Sequence, residues 1–197
     1  MSPQDRREAI ISAALAVMQR RGIAATTVRD VAGELGTSSG LIHHYFDSMD
    51  DLLAVAFARA AEEDLAITEA AVASGSTPVE RLRLFFDTYA RVESDAGMQL
   101  WLDAWAEAAR RPALQKSSRM LNERWQQLLR SIIDEGRETG RMTCTDPDAA
   151  AWRILSLLDG LTLQSVAHGD VITIDQASQW SRRAAEEELS LPPRALG

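Results

Sequence analysis

The sequence predicts an all-α protein of about nine helices, three short ones in an N-terminal head and the rest in a longer body. Apolar residues recur at helical spacing nearly everywhere. Helix-breaking residues are few, with 11 Gly and 6 Pro in 197 residues. The one alternating run, Val171-Ile172-Thr173-Ile174, is too brief to build a sheet.

The elements follow in order. Ile10, Ile11, Ala14, Leu15 and Met18 form an i, i+3, i+4 stripe that opens after Ser2-Pro3 and stops near Gly22. Val28, Val31, Ala32 and Leu35 form a second, short stripe closed by Gly36, and Ser38 to Phe46 puts Ile42, Tyr45 and Phe46 on one side. Ser48, with Asp51 three residues on, is a capping box for a long helix bearing Leu53, Ala56, Phe57 and Ala60. After the break Ser74-Gly75-Ser76, Thr77-Pro78-Val79-Glu80 is a complete helix start, and Leu82, Phe85, Phe86 and Tyr89 follow. A helix around Met98 to Ala109 carries Trp101, Leu102 and Trp105. Pro112 opens the next, with Leu121, Trp125, Leu128, Ile132 and Ile133. Asp146-Pro147 starts another, with Ile154, Leu157, Leu158 and Leu161, and the last runs from about Asp175 to Leu189. These boundaries divide the chain into a head of residues 1–47 and a body of residues 48–197.

Composition excludes several classes. Apolar residues make up 46% and charged residues 25%, which is ordinary globular usage. No run approaches the ~18 apolar residues of a membrane span, and the N-terminus lacks the plan of a signal peptide, so a cytoplasmic chain is expected. Cys144 is the single cysteine, which rules out an internal disulfide and Cys-rich zinc motifs. There is no phosphate-binding Gly-rich loop, nucleophile elbow or metal-spaced His/Glu pattern, so neither an enzyme nor a cofactor is expected. His43 and His44 are adjacent and point to different sides of a helix, so no metal site is expected there. The net charge is -8, yet it is unevenly spread. Residues 1–46 hold five Arg against four acids, a balance of +1, and the remainder carries -9.

The segment from Thr26 to Phe46 carries the chemistry. Two short helices joined by a Gly-containing turn are the recipe for a helix-turn-helix, whose second helix lies in the major groove of duplex DNA. Its outward face bears Ser38, Ser39, Leu41 and His43. Leu41 falls off the apolar stripe, where it suits a thymine methyl, and Gly40 permits close backbone approach. Thr26 and Thr27 bring hydroxyls and free amides to the start of the preceding helix, as phosphates require. Arg29 is the one guanidinium placed to read bases, and His44 and Tyr45 end the third helix within reach of the sugar-phosphate strand.

Over Arg6 to Val55 the chain resembles the TetR family of transcriptional regulators. The resemblance rests on Gly22, Thr26-Thr27-Val28, Val31-Ala32, Gly36, Ser38, Gly40, Leu41-Ile42, His44-Tyr45-Phe46, Ser48 and Leu52-Leu53. It implies a DNA-binding head and an all-helical ligand and dimerisation body. By position it assigns Arg29, Ser38, Ser39, Gly40, Leu41 and His43 to bases and Thr27, His44 and Tyr45 to phosphates, with Thr26 and Thr37 completing the DNA-binding set. Members usually have Lys where this chain has Met49, among Asp47, Asp50 and Asp51. The second half is similar to the choline-regulator (BetI-type) branch through Trp101 to Glu107, Pro112, Trp125 and Asp159-Gly160-Leu161.

The aromatic body residues Phe86, Tyr89, Trp101, Trp105 and Trp125 are either plain core at helical spacing or the wall of a small-molecule effector pocket. Ile154, Leu157, Leu158, Leu161, Trp180 and Ala184, on the last two helices, are the candidates for a homodimer interface. The expected function is a ligand-responsive repressor that binds a palindromic DNA operator as a dimer. The alternative is a ligand-binding or scaffold protein of the same fold with little sequence-specific DNA binding, to which the weakly basic head and Met49 point.

Overall fold

The computed structural model describes residues 2–92 and 95–197. Among the described residues the chain forms nine α-helices and no strand: α1 (Pro3–Arg21), α2 (Val28–Leu35), α3 (Ser39–Tyr45), α4 (Met49–Ala73), α5 (Pro78–Val92), α6 (Asp95–Ala108), α7 (Pro112–Glu138), α8 (Pro147–His168) and α9 (Ile174–Glu188). The all-α expectation holds. The apolar Val171-Ile172 run lies at a short 3-10 turn, and Thr173 caps α9.

Local chemistry sets the helix ends. Ser2 and Thr27 cap α1 and α2 through reciprocal boxes with Asp5 and Asp30. At α4 the cap half of the expected Ser48–Asp51 box forms: the Asp51 N–H donates to Ser48 Oγ at 3.0 Å, while the Asp51 carboxylate accepts the Ser48 hydroxyl at 2.6 Å. Thr77 accepts the Glu80 N–H at α5, and Asp146 accepts the Ala149 N–H at α8.

The chain divides into two compact units, Met1–Glu62 with Gln99–Leu121, and Glu63–Met98 with Asn122–Gly197. In the first, α2 packs on α1 and on α3. Ile10, Ala14, Met18, Ile23, Val31, Ile42, Leu52 and Leu53 fill its interior. Phe57 meets Trp101 edge-on, with ring centroids 4.9 Å apart, and Trp101 meets Trp105 at 5.7 Å. In the second unit, α9 packs on α8 and on α5 around Leu82, Phe85, Leu129, Ile133, Leu155 and Ala185. Its last residues fold back on α9, where Glu186 accepts the Arg194 and Leu196 N–H groups at 3.0 and 2.8 Å. No helix among the described residues is long and apolar enough to cross a membrane.

Candidate functional site

Val31, Ile42 and Phe46 are buried, and they fix which face of α3 turns inward. The opposite face carries exposed Ser38, Gly40, His43 and His44, with half-buried Ser39, Leu41 and Tyr45 beside them. Ser38 stands at the N-cap of α3 without a cap hydrogen bond, which leaves its hydroxyl uncommitted there. A Cβ at Gly40 would meet only the Ser38 hydroxyl, at 3.8 Å, so internal packing does not demand a glycine here. Arg29 is exposed in the first turn of α2.

Three hydroxyl residues of the expected set have internal roles. Thr27 caps α2, accepting the Asp30 N–H at 3.3 Å and donating its hydroxyl to the Asp30 carboxylate at 2.6 Å. Thr26 is buried, and its hydroxyl donates to the Gly22 carbonyl at 2.8 Å. Thr37 is half-buried in the α2–α3 turn, with its N–H on the Ala32 carbonyl.

The electrostatics of the head differ from its bare count. Each of the four acids of residues 1–46 is engaged: Asp5 by the Ser2 cap, Glu8 by Arg59 and Gln4, Asp30 by Arg21 and Thr27, and Glu34 by Arg20. The Ser2 backbone N–H holds the Asp5 carboxyl below its usual range, and the Thr27 hydroxyl does the same for Asp30. Among the described residues Arg6, Arg7 and Arg29 have no carboxylate partner. The Arg7 guanidinium lies 5.0 Å over the Phe46 ring, at the end of α3. Beside Met49, Asp51 is bonded to Ser48, and Asp50 accepts the Ala113 N–H at 3.3 Å with Arg111 3.6 Å away.

The aromatic residues of the body form two clusters. Trp101 and Trp105 belong to the first unit, with Phe57. Phe86, Tyr89 and Trp125 belong to the second, joined through Phe85, and the Tyr89 and Trp125 ring centroids are 5.8 Å apart. The Tyr89 hydroxyl donates to the Asp159 carboxylate at 2.6 Å. Burial pushes the Asp159 carboxyl up to about 7, and the Tyr89 hydrogen bond opposes part of that rise. Cys144 stands apart, and desolvation raises its thiol, which disfavours the thiolate.

Comparison with known proteins draws these features together. A sequence profile described as "Bacterial regulatory proteins, tetR family" matches residues 10–56, and one described as "BetI-type transcriptional repressor, C-terminal" matches residues 78–190. The chain belongs to the TetR family of transcriptional regulators. The HTH-type transcriptional regulator BetI 1 of Chromohalobacter salexigens is 30% identical over 189 residues, covering 94% of this chain and 91% of the relative. A transcriptional regulator of Saccharomonospora viridis, solved in complex with choline, superposes with a TM-score of 0.85 at 26% identity, covering 94% of this chain and 98% of its own. A TetR transcription regulator of Haloarcula marismortui superposes with a TM-score of 0.83 at 25% identity, covering 94% and 99%.

In this TetR-family chain, α8 and α9 divide the expected dimerisation residues by exposure. Leu157 and Trp180 are 38% and 42% exposed, whereas Ile154 and Leu158 are buried and Leu161 and Ala184 are half-buried. Asp103 and Asp159 enter the sequence reading through the BetI-type resemblance and Arg7 through the charge count, none of them as a DNA-binding or effector-binding residue. A charge count carries no sign of which arginines are paired. Asp103 and Asp159 are engaged by partners 80 and 70 positions away.

Proposed function

We propose that the chain is a homodimeric repressor that occupies a palindromic operator and leaves it when a small organic effector binds. The observation that carries this reading is the unburied outward face of α3, in a head where Arg6, Arg7 and Arg29 have no carboxylate partner and Arg7 lies over Phe46 at the end of α3. Phosphate contacts supply most non-specific affinity, so three guanidiniums without a carboxylate partner matter more than a net charge of +1. Ser38, Ser39, Leu41 and His43 offer hydroxyl, methyl-contacting and imidazole groups to base edges, and Arg29 offers a bidentate donor. Leu157 and Trp180 give α8 and α9 an apolar face to bury in a two-fold contact. Such a dimer reads two half-sites about 34–36 Å apart, and an effector that changes that spacing weakens both contacts at once. Choline, bound by the Saccharomonospora relative, is the first effector to test.

Gel-shift titration of DNA flanking the chain's own gene, with and without choline, tests the reading. A sequence-specific complex that dissolves on adding choline or another small effector is the expected result. Absence of any specific shift at low salt, across genomic fragments, would instead favour a ligand-binding protein with little sequence-specific DNA binding.

A further inference from the structure

We propose that the face of α9 between Arg182 and Glu186 is a peptide-binding site. Residues 191–197 of the same chain fill it as a strap, and a leucine-bearing extended segment of a partner protein takes it when the strap leaves. The inference is independent of the operator and the effector, since it concerns only the surface under the strap.

Arg182 and Glu186 stand one turn apart on α9, at the spacing that lets opposite charges pair. Both are turned to the strap instead. Glu186 is 6% exposed, and its two oxygens accept the Leu196 N–H at 2.8 Å and the Arg194 N–H at 3.0 Å. Arg182 donates to the Leu196 carbonyl at 2.6 Å, to the Asp87 carboxylate at 2.7 Å and to the Ser178 hydroxyl at 3.2 Å. The N–H and the C=O of one residue are thus both held by charged side chains, while the Leu196 side chain is fully buried. Main-chain hydrogen bonds beside a pocket for one side chain are how proteins recognise extended peptides.

A structural tie alone does not account for this chemistry. A desolvated carboxylate is costly, and buried Leu189, Leu191 and Leu196 would hold the strap by apolar contact without one. Removing the strap takes both donors from Glu186 and one acceptor from Arg182, so the site demands another backbone in its place. The strap is also held under strain: Ser190 and Arg194 have φ of +54° and +65°, where side chains are rarely found. A separate peptide needs no turn at Ser190. Beside Gly197 a groove of about 570 Å³ runs along Asp87, Asp175, Gln176 and Gln179, so a segment longer than the strap finds room. Trp180 and Ala184, expected in the dimer contact, lie about 200° round the helix from Arg182 and Glu186, which leaves the site accessible in such a dimer.

The test uses the full chain and a fluorescein-labelled peptide of residues 190–197, which stands in for the partner segment. Leu196→Asp in the chain places a charge in a closed site and frees the strap. By anisotropy this variant is expected to bind the peptide saturably, at least about tenfold tighter than the wild type, whose own strap competes at an effective concentration of about millimolar order. A peptide carrying L196D should bind about tenfold more weakly, and E186Q in the freed chain should weaken the normal peptide by about the same factor, because an amide N–H then faces the N–H groups of the peptide. No saturable binding up to millimolar peptide, equal binding by the wild type and Leu196→Asp, or full binding of the L196D peptide or by E186Q, overturns the proposal. A dimer in light scattering that Leu196→Asp dissolves and Leu157→Asp does not would also overturn it, in favour of straps exchanged between two copies. If Leu196→Asp melts without cooperativity, the wild type decides. Excess normal peptide should speed hydrogen exchange at the Arg194 and Leu196 amides several-fold and the L196D peptide should not; equal rates with the two peptides overturn the proposal.

Discussion

The Asp103 carboxylate on α6 accepts the backbone N–H of Ile23, in the turn between α1 and α2, at 3.2 Å. Gly22 makes the approach possible. Its φ of +80° suits glycine, and a Cβ there would stand 3.0 Å from Asp103 Oδ2. Gln99 holds the other carboxylate oxygen at 3.0 Å, so the bond is aimed from both sides. The helix that bears Trp101 and Trp105 thereby grips the turn that orients α2. A hydrogen bond to a charged group contributes about 1.5–3 kcal/mol, the same size as a typical coupling free energy between two sites, about 1–3 kcal/mol.

Asp103→Ala should therefore reduce the effector's influence on the operator more than it reduces either binding event. Operator affinity measured by fluorescence anisotropy, with and without saturating effector, is expected to change several-fold less in the variant than in the wild type. Effector affinity should stay within about twofold. An unaltered ratio would mean that Asp103 only anchors the turn.

The head's uncommitted charges make a second prediction. Arg7→Ala should weaken operator and random DNA alike and lower the salt slope of binding by about one, because it removes one phosphate partner. Arg29→Ala should instead relax base preference by ~1–3 kcal/mol. Met49→Lys should steepen the slope by about one, helped by the engagement of Asp50 and Asp51 within their own unit. Equal losses on both DNAs for Arg29→Ala would move that residue from base reading to backbone contact.

What the sequence made legible was local. Ser48 with Asp51, Thr77-Pro78 and Asp146-Pro147 start helices where their spacing predicts, because a cap and its partner lie three residues apart. The inward face of α3 was legible for the same reason, since Ile42 and Phe46 share one side of a helix. Helical spacing does not say which helices meet. Phe86, Tyr89, Trp101, Trp105 and Trp125 read as one set, yet their rings form two clusters in different units. Nor does a stripe say how much of it is covered: Leu157 and Leu158 are neighbours, one exposed and one buried, because successive residues point about 100° apart. Thr26 and Thr27 look alike in sequence, but only Thr27 lies on the surface.

The exposed α8 face supplies the third prediction. Leu157→Asp should convert the proposed dimer to monomer in light scattering and cut operator affinity by at least tenfold. In a two-fold contact each substitution acts twice, and a buried leucine contributes about 1.5–3 kcal/mol per copy. Because Leu157 is exposed within its own chain, the variant should keep its helical content. A dimer that survives Leu157→Asp would place the contact elsewhere.

The last prediction concerns pH. The Asp159 carboxyl titrates near 7 in the folded chain against an ordinary value of 3.8, so between those values the folded state binds more protons than the unfolded. Stability therefore falls as pH rises from about 4 to 7, by a few kcal/mol at most, since each tenfold difference in proton affinity between the two states is worth ~1.36 kcal/mol. Asp64 on α4, pushed up to about 6 by burial and by the charge of Glu63, contributes with the same sign over the lower part of that range. Asp159→Asn removes the contribution that extends above pH 6, so its melting temperature should decline less than the wild type's between pH 6 and pH 8. A melting temperature that falls equally in the wild type and in Asp159→Asn between pH 6 and pH 8 would mean that Asp159 does not titrate in that interval.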